Sequence, residues 1–341
     1  MVTAGTMVAP SHSHLSQIHP SFVGHVQDVN VAFDKIWTFQ TVNELRKNFS
    51  GARVNYPSFA PTQGYVISHE RAPLSDGTDM EIRVYRPENK KGRLPMFYVC
   101  HGGGWTVGGH DSEAIMNLTS CVQAGITVIS VDYRRAPEHP FPTPMNDAFE
   151  GLLWVLDNAA SLQVDPSKVI VGGSSSGANL AAAVALRARD SGLQGIIGQV
   201  LNIPALCHPK HFPTSKYELL SFAQNKDSPT TNSERMQWFW DQYLPDQNTH
   251  AYANPLLASS HSGLPPCLIQ VAGMDPLRDE GMAYASALEV ADVPTTLKIF
   301  PGLPHGFIMI LTLPQTAEYY RNVVEWISQL LGALQPTEID G

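Results

Sequence analysis

Val169-Ile170-Val171-Gly172-Gly173-Ser174-Ser175-Ser176-Gly177-Ala178-Asn179-Leu180 is the stretch whose reading decides the fold. An apolar β-branched run reads as a buried strand, and the Ala-rich sequence from Ala178 onward reads as a helix, so the chain turns from one to the other within a few residues. A serine on so sharp a turn has a strained backbone, and the positions two before and two after it must be small for the turn to close. Ser174, Ser175 and Ser176 all compete for that place, but only Ser175 has glycine at both flanking positions, Gly173 and Gly177. Such a pentapeptide arises by chance in a chain with 26 glycines. Its place between a strand and a helix is what gives it weight.

Working outward, short β-rich runs fall near 65–70, 80–86, 95–100, 126–131, 168–172, 198–203, 267–272 and 295–300, with Asp76-Gly77 as the turn of an opening antiparallel hairpin. Stretches of helical period fall near 111–124, 144–160, 176–189, 278–290 and 315–333. Strands that alternate with helices make a mostly parallel sheet covered on both faces, so the fold class is α/β, with eight strands. Two regions stand outside this alternation. Residues 205–250 are far longer than one crossover needs and carry Phe212, Tyr217, Phe222, Trp238, Phe239, Trp240 and Tyr243, rings that either pin an insertion to the sheet or line a cavity. Residues 30–49 place Val31, Phe33, Ile36, Trp37, Phe39, Val42, Leu45 and Phe49 at three- and four-residue intervals, which predicts one amphipathic helix covering a surface. The first twenty residues read as a loosely held tail, and His12, His14, His19 and His25 lack the carboxylate or thiolate company that a metal site needs.

The second chemical element is His101-Gly102-Gly103-Gly104-Trp105, directly after the strand Met96-Phe97-Tyr98-Val99-Cys100. Three glycines at a strand's end either make a flexible turn or leave backbone N–H groups free to meet a developing negative oxygen. A flexible turn would not predict the serine turn on a later strand, so the pair is more specific than either alone. A serine nucleophile needs a base, and the base needs a group that fixes its tautomer. Asp275 stands at the end of the strand Cys267-Leu268-Ile269-Gln270-Val271, and His305 just past Leu297-Lys298-Ile299-Phe300. In an open parallel sheet all these positions share the rim at the strands' carboxyl ends. His110, His139, His208, His211 and His250 occupy less suitable places, and the rival acid Asp279, inside the following helix, reads as a surface or capping group.

With these residues in view the chain resembles the hormone-sensitive-lipase-like branch of the α/β-hydrolases. The motifs that carry the resemblance are His101-Gly102-Gly103-Gly104-Trp105, Asp132-Tyr133-Arg134-Arg135-Ala136-Pro137-Glu138-His139-Pro140-Phe141-Pro142, Gly173-Ser174-Ser175-Ser176-Gly177-Ala178-Asn179-Leu180, Asp275-Pro276-Leu277-Arg278-Asp279-Glu280 and His305-Gly306-Phe307. They occur in the family's order across roughly residues 64–333. The resemblance implies Ser175 as nucleophile, His305 as base, Asp275 as its orienter, and the N–H groups of Gly103, Gly104 and Ser176 as oxyanion donors, without metal or cofactor. It also implies a cap made from residues 1–60 and from the insertion at about 205–250, over a catalytic domain of residues 61–341. The departures are Ser174 where the family usually has Asp, Ser176 where it has Ala, Ala178 where it has Gly, and Arg135 where it has Leu. None removes a catalytic group.

The expected activity is therefore hydrolysis of short to medium acyl esters of small hydrophobic molecules. Alternatives are a pathway hydrolase acting on a lactone, an amide or an acetylated biosynthetic intermediate, and a non-catalytic receptor of the gibberellin-receptor type. That receptor has lost the catalytic histidine, which is present here as His305. Composition agrees with an enzyme of small molecules. The net charge of −9, from 31 acidic and 22 basic residues, offers no basic surface to nucleic acid. An apolar fraction of 43% fills a core, yet no run reaches the ~20 apolar residues of a membrane span. Cys100, Cys121, Cys207 and Cys267 are far apart and without CxxC spacing, which reads as buried thiols in a reducing compartment. With no basic start followed by an apolar core in residues 1–30, the expected location is cytoplasmic. The expected partner is a small ester, and the 30–49 helix leaves room for a homodimer by docking on a second subunit.

Overall fold

The computed structural model describes residues 12–51 and 60–333. In chain order it contains the helices α1 (Pro20–Val23), α2 (Val26–Ile36) and α3 (Val42–Gly51), then the strands β1 (Tyr65–Pro73), β2 (Asp79–Pro87) and β3 (Leu94–Cys100). There follow α4 (Ala114–Gln123), β4 (Thr127–Val131), α5 (Thr143–Asp157), β5 (Val164–Ser174), α6 (Ser176–Asp190) and β6 (Ile196–Asn202). After a long excursion with α7 (Ser221–Gln224) and α8 (Ser233–Tyr243), the chain ends in β7 (Cys267–Met274), α9 (Arg278–Val290), β8 (Thr295–Pro304) and α10 (Pro314–Ala333). The strands form one sheet in the order β1-β2-β4-β3-β5-β6-β7-β8, antiparallel from β1 to β4 and parallel from there on.

Period-2 alternation divides the apolar residues between two cores. Met96, Tyr98 and Cys100 of β3, with Val169 and Val171 of β5, pack with Leu152 of α5, Leu180 of α6 and Leu288 of α9. Phe97, Val99 and Ile170 point the other way, toward Met116 and Cys121 of α4 and Val323 and Ile327 of α10. All four cysteines are buried free thiols. The order reverses at β4-β3-β5, and at such a switch point a crevice opens beyond the strands' carboxyl ends. β3 delivers His101-Gly102-Gly103-Gly104 there and β5 delivers Ser175. One register farther along the same rim, Met274 pairs with Pro304, which sets Asp275 beside His305.

Two expectations for the N-terminal region need correction. Residues 30–49 form two helices, α2 and α3, broken at 37–41. The break is built by Thr41-Val42-Asn43-Glu44: the Thr41 hydroxyl accepts from Glu44 N–H at 3.2 Å, and the Glu44 carboxylate reaches back to Gln40 N–H at 2.7 Å, so a second N-terminus forms. Asn48 also donates to the carbonyls of Ile36 and Thr38, satisfying the end of α2. Of the first twenty residues, read as a loose tail, residues 1–11 lie outside the described residues, and residues 12–20 are held down. Leu15 is buried, His19 N–H donates to the Gly302 carbonyl at 3.0 Å, and Ser16 accepts from the buried Arg278. These ties lock the segment to the ends of β7 and β8.

The helices α2 and α3 lie over the rim and meet the excursion between β6 and β7. Trp37, Phe39, Trp238 and Phe239 form a ring cluster with centroids 5.3–5.8 Å apart. Arg235 of α8 pairs with Asp34 of α2 at 2.6 Å. Arg46 of α3 grips the rim, with a two-pronged pair to Glu138 and hydrogen bonds to the carbonyls of Thr106 and Ala136.

Candidate active site

Ser175 sits between β5 and α6 with φ 55° and ψ −118°, a left-handed conformation that non-glycine residues rarely adopt. The strain is held by Ser175 N–H donating to the Asn202 carbonyl at 2.8 Å and by the glycines at either side. A Cβ at Gly173 would collide with the Cys100 carbonyl oxygen, and one at Gly177 with the Cys100 and His101 carbonyls. The turn passes this close to the end of β3, where the loop His101-Gly102-Gly103-Gly104 starts. That is the physical reason for the Gly-x-Ser-x-Gly frame.

His305 Nε2 lies 3.0 Å from Ser175 Oγ, and His305 Nδ1 lies 2.7 Å from Asp275 Oδ2. All three side chains are buried, and the other carboxylate oxygen of Asp275 accepts from Leu277 N–H at 2.8 Å. The three residues come from three separate strand ends and form one hydrogen-bonded line. Asp279 lies elsewhere. Its carboxylate accepts from the N–H groups of Leu220 and Ser221 at the start of α7 and pairs with Arg278 at 2.8 Å. It is a capping group, as one of the two readings had it, but a buried one and not a surface group.

The N–H groups of Gly103 and Gly104 donate to no backbone carbonyl among the described residues. Ser176 opens α6, in the first turn where N–H groups have no acceptor within the helix. Gly103 and Gly104 have φ of 124° and 56°, and a Cβ on Gly104 would run into the Phe239 ring of α8. Above Ser175 opens a cavity of about 110 Å³. Its wall is mostly apolar, from Phe33 and Phe49 of α2 and α3, Met236 and Phe239 of α8, and Ile308 and Met309 after His305.

A match to a family model described as the alpha/beta hydrolase fold covers residues 97–309. The chain belongs to the α/β-hydrolase fold family. Carboxylesterase NlhH of Mycobacterium tuberculosis is 38% identical over 256 residues, 73% of this chain and 78% of that protein. Versiconal hemiacetal acetate esterase of Dothistroma septosporum is 30% identical over 311 residues, 88% and 93% of the two chains. Among solved structures, a bacterial heroin esterase superposes with a TM-score of 0.81 at 30% identity, covering 92% of this chain and 98% of that one. Within the α/β hydrolases the chain is a member of the hormone-sensitive-lipase-like carboxylesterases, enzymes that hydrolyse carboxylic esters.

One residue of this candidate site escaped the sequence reading. Glu113, just before α4, is buried and lines the cavity; it accepts from Gly102 N–H at 3.1 Å and from the Ser174 hydroxyl at 3.0 Å. It therefore ties the glycine loop to the serine turn. Burial pushes its carboxyl up to about 7, against the pull of those two hydrogen bonds. The available signal was Ser174, where the family resemblance leads one to expect Asp: this chain has a hydroxyl there, and a carboxylate reaches it from Glu113, just before α4.

Proposed function

We propose that this α/β hydrolase is a serine carboxylesterase for short- to medium-acyl esters of small hydrophobic molecules, with Ser175 as nucleophile, His305 as base and Asp275 as the group that orients it. The observation that carries the reading is the hydrogen-bonded line Asp275–His305–Ser175, at 2.7 and 3.0 Å, opening on an apolar cavity. His305 Nε2 takes the Ser175 proton as Oγ attacks the ester carbonyl carbon. The oxygen that becomes negative is met by the N–H groups of Gly103, Gly104 and Ser176, each such donor contributing on the order of 3–4 kcal/mol. His305 returns the proton to the alcohol oxygen as the C–O bond breaks. Water, deprotonated by His305, then attacks the acyl carbon and releases the acid and Ser175. Asp275 holds Nδ1–H, so that Nε2 stays free to act as base.

The helices before residue 60 and the excursion at about 205–250 act as a cap over the catalytic domain of residues 61–341. Their rings line the cavity, whose volume lies below the roughly 300–1,000 Å³ of cavities that enclose drug-sized ligands. Short acyl groups gain burial at about 25 cal/mol per Å², and long chains find no room. A receptor reading is disfavoured because His305 is present and aligned on Ser175. A narrower substrate, an acetylated biosynthetic intermediate, is favoured by the likeness to versiconal hemiacetal acetate esterase along most of both chains. A graded panel of p-nitrophenyl esters tests the proposal: activity highest from acetate to hexanoate and absent in Ser175→Ala supports it. A preference for long-chain emulsions, or equal rates in the variant, refutes it.

A further inference from the structure

The excursion between β6 and β7 does more than cover the cavity. Between α7 and α8 it fastens itself to the two loops that carry Asp275 and His305. Asn225 Nδ2 donates to the Asp275 carbonyl at 2.9 Å, and Ser228 Oγ donates to the Met274 carbonyl at 2.6 Å. The Thr230 hydroxyl donates to the carbonyl of His305. Thr230 is itself anomalous, with φ 72°, a left-handed conformation that is strained for a β-branched residue. Glycine would relieve that strain, so the presence of threonine points to work for its hydroxyl. Farther out, Arg235 Nη1 donates to the Thr230 carbonyl at 2.7 Å while Nη2 pairs with Asp34 at 2.6 Å, and its guanidinium lies 5.4 Å from the Trp37 ring centroid. A continuous chain of contacts thus runs from α2 through Arg235 and Thr230 to the backbone of the base.

We propose that Thr230 is a positioning residue for His305, and that through Arg235 the seating of α2 on α8 fixes the position of the base. The inference rests on His305 acting as the base. Thr230 also borders the cavity, but exchanging threonine for valine keeps the shape of that wall, so loss of the hydroxyl acts on turnover far more than on substrate affinity, because a displaced base slows proton transfer in every bound complex.

The experiment measures kcat and KM for p-nitrophenyl acetate and butyrate in wild type, Thr230→Val, Thr230→Ser, Arg235→Gln and Ser175→Ala, each checked for native circular dichroism. Thr230→Val keeps shape and strain but loses the donor. Its kcat should fall on the order of tenfold, with KM within about twofold, as a small misplacement of catalytic groups does. Thr230→Ser should restore kcat to within about threefold of wild type, and Arg235→Gln should lower kcat in the same direction as Thr230→Val. If Thr230→Val fails to fold, the Ser and Arg235→Gln variants decide the question. Unchanged kcat in Thr230→Val, an equal loss in Thr230→Ser, or a change confined to KM overturns the proposal. Equal activity in wild type and Ser175→Ala would instead refute the serine mechanism on which it depends.

Discussion

Glu113 should make the protein less stable as pH rises through neutrality, and Glu113→Gln should remove that dependence. The carboxyl is buried, no cation pairs with it among the described residues, and burial moves it from an ordinary value of 4.5 to about 7. Because the folded protein holds this proton more tightly than the unfolded chain, the contribution is fully present below pH 4.5 and is lost as pH rises to about 7. At about 1.4 kcal/mol per tenfold change in proton affinity, ionised Glu113 costs about 3 kcal/mol at pH 8 relative to pH 4. Glutamine keeps an oxygen for Gly102 N–H and presents an amide to Ser174 Oγ, so the clamp between loop and turn survives the substitution. Urea denaturation of wild type and Glu113→Gln at pH 5 and pH 8 reads the effect. The stability difference, variant minus wild type, should shift in favour of the variant by about 2–3 kcal/mol between the two pH values. A difference that is the same at both would show that Glu113 does not titrate in this range, and the account of its burial would be wrong.

Asp275→Asn should keep the fold and lower kcat by about 10⁴-fold through the wrong His305 tautomer, checked by steady-state kinetics beside circular dichroism. Asp279→Asn should act on stability instead, since it leaves the buried Arg278 without its charge partner at a cost of about 3–5 kcal/mol; denaturant midpoints separate the two roles. Phe33→Ala should raise KM for butyrate and hexanoate esters by several-fold while leaving acetate nearly unchanged, because the ring lines the cavity; an unchanged chain-length profile would remove α2 from the site.

Much of this architecture was legible along the chain, for reasons particular residues show. Met96 to Cys100 and Val169 to Val171 are runs buried on both faces, so they announce central strands without a partner in view. Ser175 stands out from its neighbours because Gly173 and Gly177 meet the end of β3, a steric demand that the local pattern carries. The break at 37–41 was also local, written in Thr41 and Glu44, but the apolar spacing on either side runs through it and masks it. Leu15 is buried and its neighbour Ser16 accepts from Arg278, 262 residues on, so nothing nearby distinguishes this segment from a loose tail. Glu113 and Thr230 belong to the same class. A buried carboxylate and a left-handed threonine acquire meaning only from Gly102, Ser174 and His305, which the fold brings to them.

The central claim is that Ser175, and neither Ser174 nor Ser176, forms the bond to the acyl group. Fluorophosphonate labelling followed by mass spectrometry of the digested protein tests it directly. The account predicts one phosphonyl group per chain on the peptide holding Ser175, kept in Ser174→Ala and Ser176→Ala and lost in Ser175→Ala. Stoichiometric labelling of Ser175→Ala, or an adduct on either neighbouring serine in the wild type, would contradict it.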